Sequence, residues 1–205
     1  MTDPTPHPND SLEELQEKLR DFSRKYERLL VELESKSEQL ALINGLLKLT
    51  VSDVTLQEIL NVFSKNLKTI CPFDRLDVAL YNPEKKGFEI PFALAGGAIQ
   101  KNPDEYARPW GSTVITAVFE ERKPLLRSDI RKDFSFDTDR LFVEKGFSTE
   151  LLFPLEIEGR VVGTLDIACF EAGKLTEQHL HTLYEVSNAV AVAVHRYLVK
   201  HGIPF

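Results

Sequence analysis

The chain predicts an α+β fold: a mostly antiparallel central sheet, helices gathered toward the two ends, and a long N-terminal helix carrying a coiled-coil repeat. Three observations predict it. First, residues 147–170, FSTELLFPLEIEGRVVGTLDIACF, alternate Leu151, Phe153 and Leu155 on one face, turn at Glu158-Gly159 and resume as a second apolar strand. Gly159 supplies the positive φ that a two-residue hairpin loop requires. Second, a heptad seam runs through residues 12–47. Third, residues 176–200 keep a helical apolar period up to the end of the chain.

Taken in order, residues 1–10, MTDPTPHPND, hold three prolines and little that can be buried, and read as a disordered tail. Residues 11–50 read as the coiled-coil or signalling helix. Ser11 and Glu14 form a capping-box pattern. Leu12, Leu19, Tyr26, Leu33, Leu40 and Leu47 then take one seam position, and Leu15, Phe22, Leu29 and Ile43 the other. Lys36 and Thr50 break the seam, while Glu14 with Lys18, Asp21 with Lys25 and Glu32 with Lys36 support a single helix. These ten apolar residues predict a homodimer, with parallel and antiparallel pairing both open because the flanking positions carry no selecting ion pair. Gly45 sits inside the repeat as either a flexible point or a close-packing site.

Residues 51–200 read as the globular domain and 201–205 as a short tail. A second capping box, Thr55 with Glu58, opens a helix whose Leu56, Ile59, Leu60, Phe63, Leu67 and Ile70 share one side, ended by Cys71-Pro72. LDVALYN and GFEIPFALA follow as strands around a PEKKG turn, then a short helix over 113–121, a strand at PLLR, an irregular acidic and aromatic stretch, the hairpin and the last helix. Gly163, inside the second hairpin strand, removes a side chain where a packed helix, a neighbouring strand or a ligand comes close, and the sequence leaves all three open.

Composition excludes several function classes. At 205 residues and 42% hydrophobic content the chain builds one sizeable core with an appendage. A formal net charge of −7 argues against direct nucleic-acid binding, which needs a concentrated basic surface. There is no apolar run of about twenty residues and no basic-then-apolar start, so membrane insertion is not expected and the cytoplasm is the expected compartment. Cys71 and Cys169 show no metal or redox spacing and read as buried small hydrophobes.

The segments PFDRLDVALYN, GSTVITAVFEERKPLLRSDI, KGFSTELLFPLEIEGRVVGTLDIACF and LTEQHLHTLYEVSNAVAVAV, in this order and spacing, resemble a GAF domain over residues 47–198. The likeness is to GAF domains of bacterial sensor histidine kinases and of formate-hydrogenlyase-activator-type transcription regulators. The resemblance implies a sheet covered by the terminal helices on one face and roofed on the other by short helices and loops over a small-molecule pocket. It also implies a place in signal transduction, whether two-component or transcriptional.

Signatures of the family's chemical subtypes are missing. After Ala168 the chain reads CFEAGKLTEQHL rather than the Asn-Lys of cyclic-nucleotide binders, and neither cysteine sits in a bilin-attachment sequence. Two cysteines far apart in sequence offer no resolving pair for methionine sulfoxide reduction. His179, His181, His195 and His201 have no ligand spacing for haem and read as surface residues. No catalytic residue, metal or cofactor is therefore expected. The candidate ligand-binding residues are Phe92 at the cavity edge, Trp110, Ser112 and Thr113 before the roof helix, and Asp129, Phe134 and Phe136 in the loop that the resemblance places across the pocket mouth. Phe147 and Phe153 join them from the hairpin as pocket floor. Ser112 also reads as an ordinary helix cap. The expected function is a dimeric sensory module that takes an unknown small metabolite, the alternative being a ligand-free docking scaffold whose pocket is filled by its own aromatic residues.

Overall fold

The computed structural model describes the backbone of residues 8–50, 55–95, 98–99 and 108–202. The chain divides into two compact units between Leu40 and Ala41.

Helix α1 runs Pro8–Thr50 without interruption. It begins before the predicted Ser11 cap because proline, with its fixed φ and no N–H to satisfy, fits the first turn of a helix. Residues 1–7 of the expected tail lie outside the described residues. In the first unit Leu12, Leu15, Leu19, Phe22, Tyr26, Leu29, Leu33 and Leu40 are 54–68% exposed, so eight seam residues stand uncovered on one helix. In the second unit Leu42 is buried and Ile43 packs against the domain core, so this end of the seam is used internally. The Leu47 side chain lies outside the described residues. Among the described residues of this chain a side chain at Gly45 meets nothing within 4 Å.

Helix α2 (Leu56–Leu67) starts at the predicted capping box, with the Thr55 N–H donating to Glu58 Oε2 at 2.8 Å and the Glu58 N–H donating to Thr55 Oγ1 at 3.2 Å. Strands β1 (Arg75–Asn82), β2 (Gly87–Ala95), β3 (Ala98–Ile99) and β4 (Arg108–Pro109) precede α3 (Val114–Glu121). Then come β5 (Leu125–Arg127), a 3-10 turn (Ile130–Lys132), α4 (Asp139–Glu144), β6 (Thr149–Ile157), β7 (Arg160–Cys169) and α5 (Glu177–His201). Helix α5 absorbs the first residue of the expected C-terminal tail and stops at Gly202, whose φ of 62° makes the left-handed cap.

Among the described residues the seven strands form one antiparallel sheet in the order β3-β2-β1-β7-β6-β5, with β4 also on β2. The predicted hairpin is β6–β7, and its turn holds Glu158 at φ 49° and Gly159 at φ 79°. Gly163 faces Leu80 across the β1–β7 ladder, and a Cβ there meets the Ala79 carbonyl oxygen at 2.1 Å. Of the three open explanations, the neighbouring strand is the one that requires the glycine.

Each face of the sheet is covered. On one, Leu60, Phe63 and Leu67 of α2 and Leu183, Val186, Val190 and Val194 of α5 bury against Leu76, Val78, Leu151, Leu165 and Ile167. On the other, Val114, Ile115 and Val118 of α3 pack on Ala79, Phe88, Ile90 and Leu152. The expected irregular stretch after β5 contains the 3-10 turn and α4, which complete the roof beside α3.

Candidate functional site: a roofed and charged cavity

Strand alternation builds the floor. In β1, Leu76, Val78 and Leu80 belong to the helix-side core, which turns Arg75 and Asp77 toward the roof. In β6, Leu151 and Phe153 face the helices and Glu150 and Leu152 the roof; in β7, Leu165 and Ile167 alternate with Asp166. Cross-strand register sets Asp77 directly opposite Asp166, and Asp166 opposite Leu152. The cavity between this floor and the roof is lined above by Thr113, Val114 and Ile115 of the α3 start and by Thr138, Asp139, Leu141, Phe142 and Lys145 around α4. Its free volume is about 50 Å³.

Ion pairs fill much of this space. Arg75 Nε donates to Asp77 Oδ2 at 2.6 Å, and both side chains are buried. Arg127, at the end of β5, grips Asp139 with two nitrogens at 2.6 and 2.7 Å and reaches Glu150 Oε1 at 2.7 Å. It also donates to the Asp133 carbonyl and lies 5.1 Å from the centre of the Phe136 ring. Asp139 further accepts from the Ser135 and Phe136 N–H groups, each at 2.9 Å, so one carboxylate pins the roof loop to β5.

These environments separate the carboxyls. Burial opposes ionisation of Asp139, but Arg127 and the Phe136 and Ser135 N–H groups outweigh it and hold the carboxyl below its ordinary range. For Glu150 burial wins over the Arg127 guanidinium and pushes the carboxyl up to about 7. Asp166 goes furthest: burial, against the Thr164 hydroxyl and with Asp77 and Glu150 adding repulsion, pushes it up to about 8. What surface Asp166 retains opens into the cavity, since the floor is covered by the roof. Its Oδ1 is buried with no hydrogen-bond partner.

Of the residues expected to bind ligand, Thr113 lines the cavity and Phe147 stacks on the lining residue Phe142, ring centres 4.8 Å apart. Thr113, rather than Ser112, caps α3, accepting from the Thr116 N–H at 3.2 Å. Ser112 is exposed and its carbonyl accepts from the Asp137 N–H. Trp110 stands outside the cavity in a four-ring cluster, 5.8 Å from Phe88, 5.4 Å from Tyr81 and 5.6 Å from Phe119. Phe92 and Phe153 are buried in the helix-side core, on the reverse of the floor, because strand alternation there points them away from the roof. Asp129 caps the 3-10 turn and pairs with Arg131 at 3.2 Å, Phe134 is exposed, and Phe136 covers Arg127. The neighbouring glycines 96 and 97 lie outside the described residues.

The floor residues Arg75, Asp77, Glu150 and Asp166 were not singled out from sequence. Their signal was there: Arg75 and Asp77 two apart in one strand, and in two others Glu150 before Leu151 and Leu152 and Asp166 between Leu165 and Ile167, in a sheet predicted to be covered on both faces. Cys71 and Cys169, far apart in the chain, come together at the Pro72 carbonyl, 3.4 and 3.3 Å away, within the helix-side core. Burial pushes their thiols up to about 12 and about 11, which leaves little thiolate at neutral pH.

An antiparallel sheet with terminal helices on one face and a small roofed cavity on the other is a two-faced α+β architecture. Residues 53–195 match the GAF domain family, and the chain belongs to it. No curated protein matches the chain by sequence. Among solved structures it is similar to the GAF domain of a phosphoenolpyruvate-protein phosphotransferase from Coxiella burnetii, with 14% identity, TM-score 0.67, and 81% of this chain and 98% of that one covered. It is also similar to the GAF domain of a two-component sensor histidine kinase from Bacillus halodurans, at 17% identity and TM-score 0.60 over 72% and 98% of the chains. A free methionine-R-sulfoxide reductase from Neisseria meningitidis, solved with its substrate, aligns at 12% identity and TM-score 0.62 over 79% and 91%. At these identities the likeness is one of fold. GAF domains are typically sensory or regulatory.

Proposed function

We propose that this chain is a cytoplasmic, non-enzymatic sensory module that pairs through α1 and relays occupancy of the roofed cavity to a partner or output domain. The observation that carries the reading is the two-sided construction of the floor. Asp77, Glu150 and Asp166 face the cavity, while their chain neighbours Val78, Leu151 and Leu165 face α2 and α5. Any shift of the floor on binding therefore moves residues packed against the helices. The fold's likeness to a sensor histidine kinase GAF domain supports a place in two-component or transcriptional control. The buried, high-pKa cysteines support the non-enzymatic part.

The eight uncovered seam residues support pairing, because a stripe of that length exceeds what a soluble monomer exposes. The test is mass spectrometry of small molecules released from the purified full-length chain, alongside light scattering. A stoichiometric metabolite and a dimer are expected. Repeated absence of any bound molecule favours the second reading, a ligand-free docking scaffold, to which the small free volume of about 50 Å³ gives specific support. In that case the cavity is filled by its own ion pairs, not by the aromatic residues anticipated from sequence.

A further inference from the structure

The cavity is asymmetric in charge. Four carboxylates line it, Asp77, Asp139, Glu150 and Asp166, against Arg75 from β1, Arg127 behind Glu150 and Lys145 at the rim after α4. Arg75 is committed to Asp77, and Arg127 to Asp139 and Glu150. Asp166 makes no salt bridge among the described residues; the Thr164 hydroxyl lies beside its carboxyl, but Oδ1 has no hydrogen-bond partner. A carboxyl oxygen left unpaired inside a domain is costly, and this one belongs to a residue on the floor of a cavity, opposite Asp77.

The surroundings narrow what enters. Among the described residues no three His, Cys, Asp or Glu side chains converge closely enough to hold a metal ion. The walls are apolar, with Ile90, Ile115, Leu141 and Leu152 around the acidic floor and the Phe142 ring beside it. The α3 start offers little to an anion, since the Thr113 hydroxyl already takes the Thr116 N–H. A free volume of about 50 Å³ admits a head of a few heavy atoms, with room for a tail only as the roof lifts.

We propose that the cavity binds a small organic monocation, a protonated amine or amidine with an apolar tail, whose charged head donates to the Asp166 carboxylate beside Glu150 and whose tail lies against Ile90, Ile115 and Leu152. This rests on the ligand-sensing reading above and names the chemical class of its ligand. Burial first, and the neighbouring Asp77 and Glu150 carboxyls second, raise Asp166, so below pH 7 it is protonated and a cation must displace that proton to bind. Affinity then climbs about tenfold per pH unit up to pH 7 and levels off above 8.

The test uses three probes of one shape on the full-length chain: n-butylammonium, n-butanol and butyrate, titrated by calorimetry at pH 6, 7 and 8.5, with methyl NMR shifts of Ile90, Ile115 and Leu152 reporting the site. The expected result is binding of n-butylammonium at least tenfold tighter than the other two at pH 8.5, shifts at those methyls, and at least a tenfold loss in Asp166→Asn. Glu150→Gln gives a second, smaller loss and serves if Asp166→Asn proves unstable. Preference for butyrate or n-butanol at the same methyls overturns the cationic class and leaves the sensing reading standing. Equal n-butylammonium affinity in the wild type and both variants also overturns it. No binding by any probe overturns it too, and together with an empty metabolite spectrum removes the sensing reading as well.

Discussion

Replacing Gly163 with alanine adds one methyl group where the structure has no room for it. The new Cβ lies 2.1 Å from the Ala79 carbonyl oxygen and 3.0 Å from Leu80 Cδ2. The first obstacle is backbone, so no rotamer change relieves it, and β1 must move away from β7 by roughly 1 Å to restore ordinary contact. The movement stretches ladder hydrogen bonds around the Leu80–Gly163 pair past useful length. It also pushes on Leu76, Val78 and Ala79, which are fully buried. Overpacking costs about 1–3 kcal/mol, one or two weakened ladder bonds add about 1 kcal/mol each, and relief of the glycine's backbone entropy returns about 0.5–1 kcal/mol. The net expectation is a loss of about 1–4 kcal/mol. Urea unfolding followed by circular dichroism reads it as a lower midpoint at unchanged slope. Gly45→Ala is the internal control, since its Cβ meets nothing and the position is helical, and it stabilises by about 0.5–1 kcal/mol. A Gly163→Ala variant as stable as wild type refutes the claim that strand contact, rather than chance, holds the glycine there.

The buried charges and the exposed seam each set a further measurable outcome. Arg127→Met strands Asp139 and Glu150 in the interior and costs about 3–5 kcal/mol by thermal or urea unfolding, more at pH 8 than at pH 5 because the stranded carboxylates are easier to bury protonated. Asp166→Asn works the other way. A carboxyl raised from 3.8 to about 8 binds its proton in the folded state and not in the unfolded one, so wild-type stability falls as pH rises from 4 through 8. The amide removes that slope and stabilises the domain by about 1–3 kcal/mol at pH 8.5, and a steeper slope in the variant than in wild type sinks the assignment. Finally, light scattering at tens of micromolar gives a dimer for the whole chain and a shift toward monomer for a chain begun at Val51, while Lys36→Leu tightens the pair.

Residues whose role is set by local chemistry were legible beforehand. Thr55 and Glu58 meet as a capping box because both partners lie within one helical turn. Glu158-Gly159 turns the hairpin because few residue pairs accept two positive φ values in succession. Eight heptad residues lie on one exposed stripe because helical period alone decides it. The site was less legible because it is assembled from distant strands. Asp77 and Asp166 are opposite only through the β1–β7 register, and nothing near either residue announces the other. Nothing in DFSFDTD distinguishes Asp139 from Asp133 or Asp137, yet Asp139 is buried, because Arg127 folds back from β5 to meet it.

Phe92 shows how one extra residue decides which side chains reach the cavity. The β1–β2 ladder pairs Val78 with Phe92 but Leu80 with Glu89, so β2 carries a bulge of one residue across Ile90-Pro91. Proline is at home there, since a bulge leaves one N–H outside the ladder and proline has none to offer. The slip reverses the alternation within a single strand. Before it Phe88 and Ile90 face the roof, and after it Phe92 and Leu94 face α2 and α5. Without the bulge a strict period of two would carry Phe92 to the roof together with Phe88 and Ile90, and its ring would occupy space above Asp77. With it, the roof side of β2 offers Ile90 and then the small Ala93. The cavity therefore owes its free volume to a proline-marked irregularity in β2 as much as to the charges that line it.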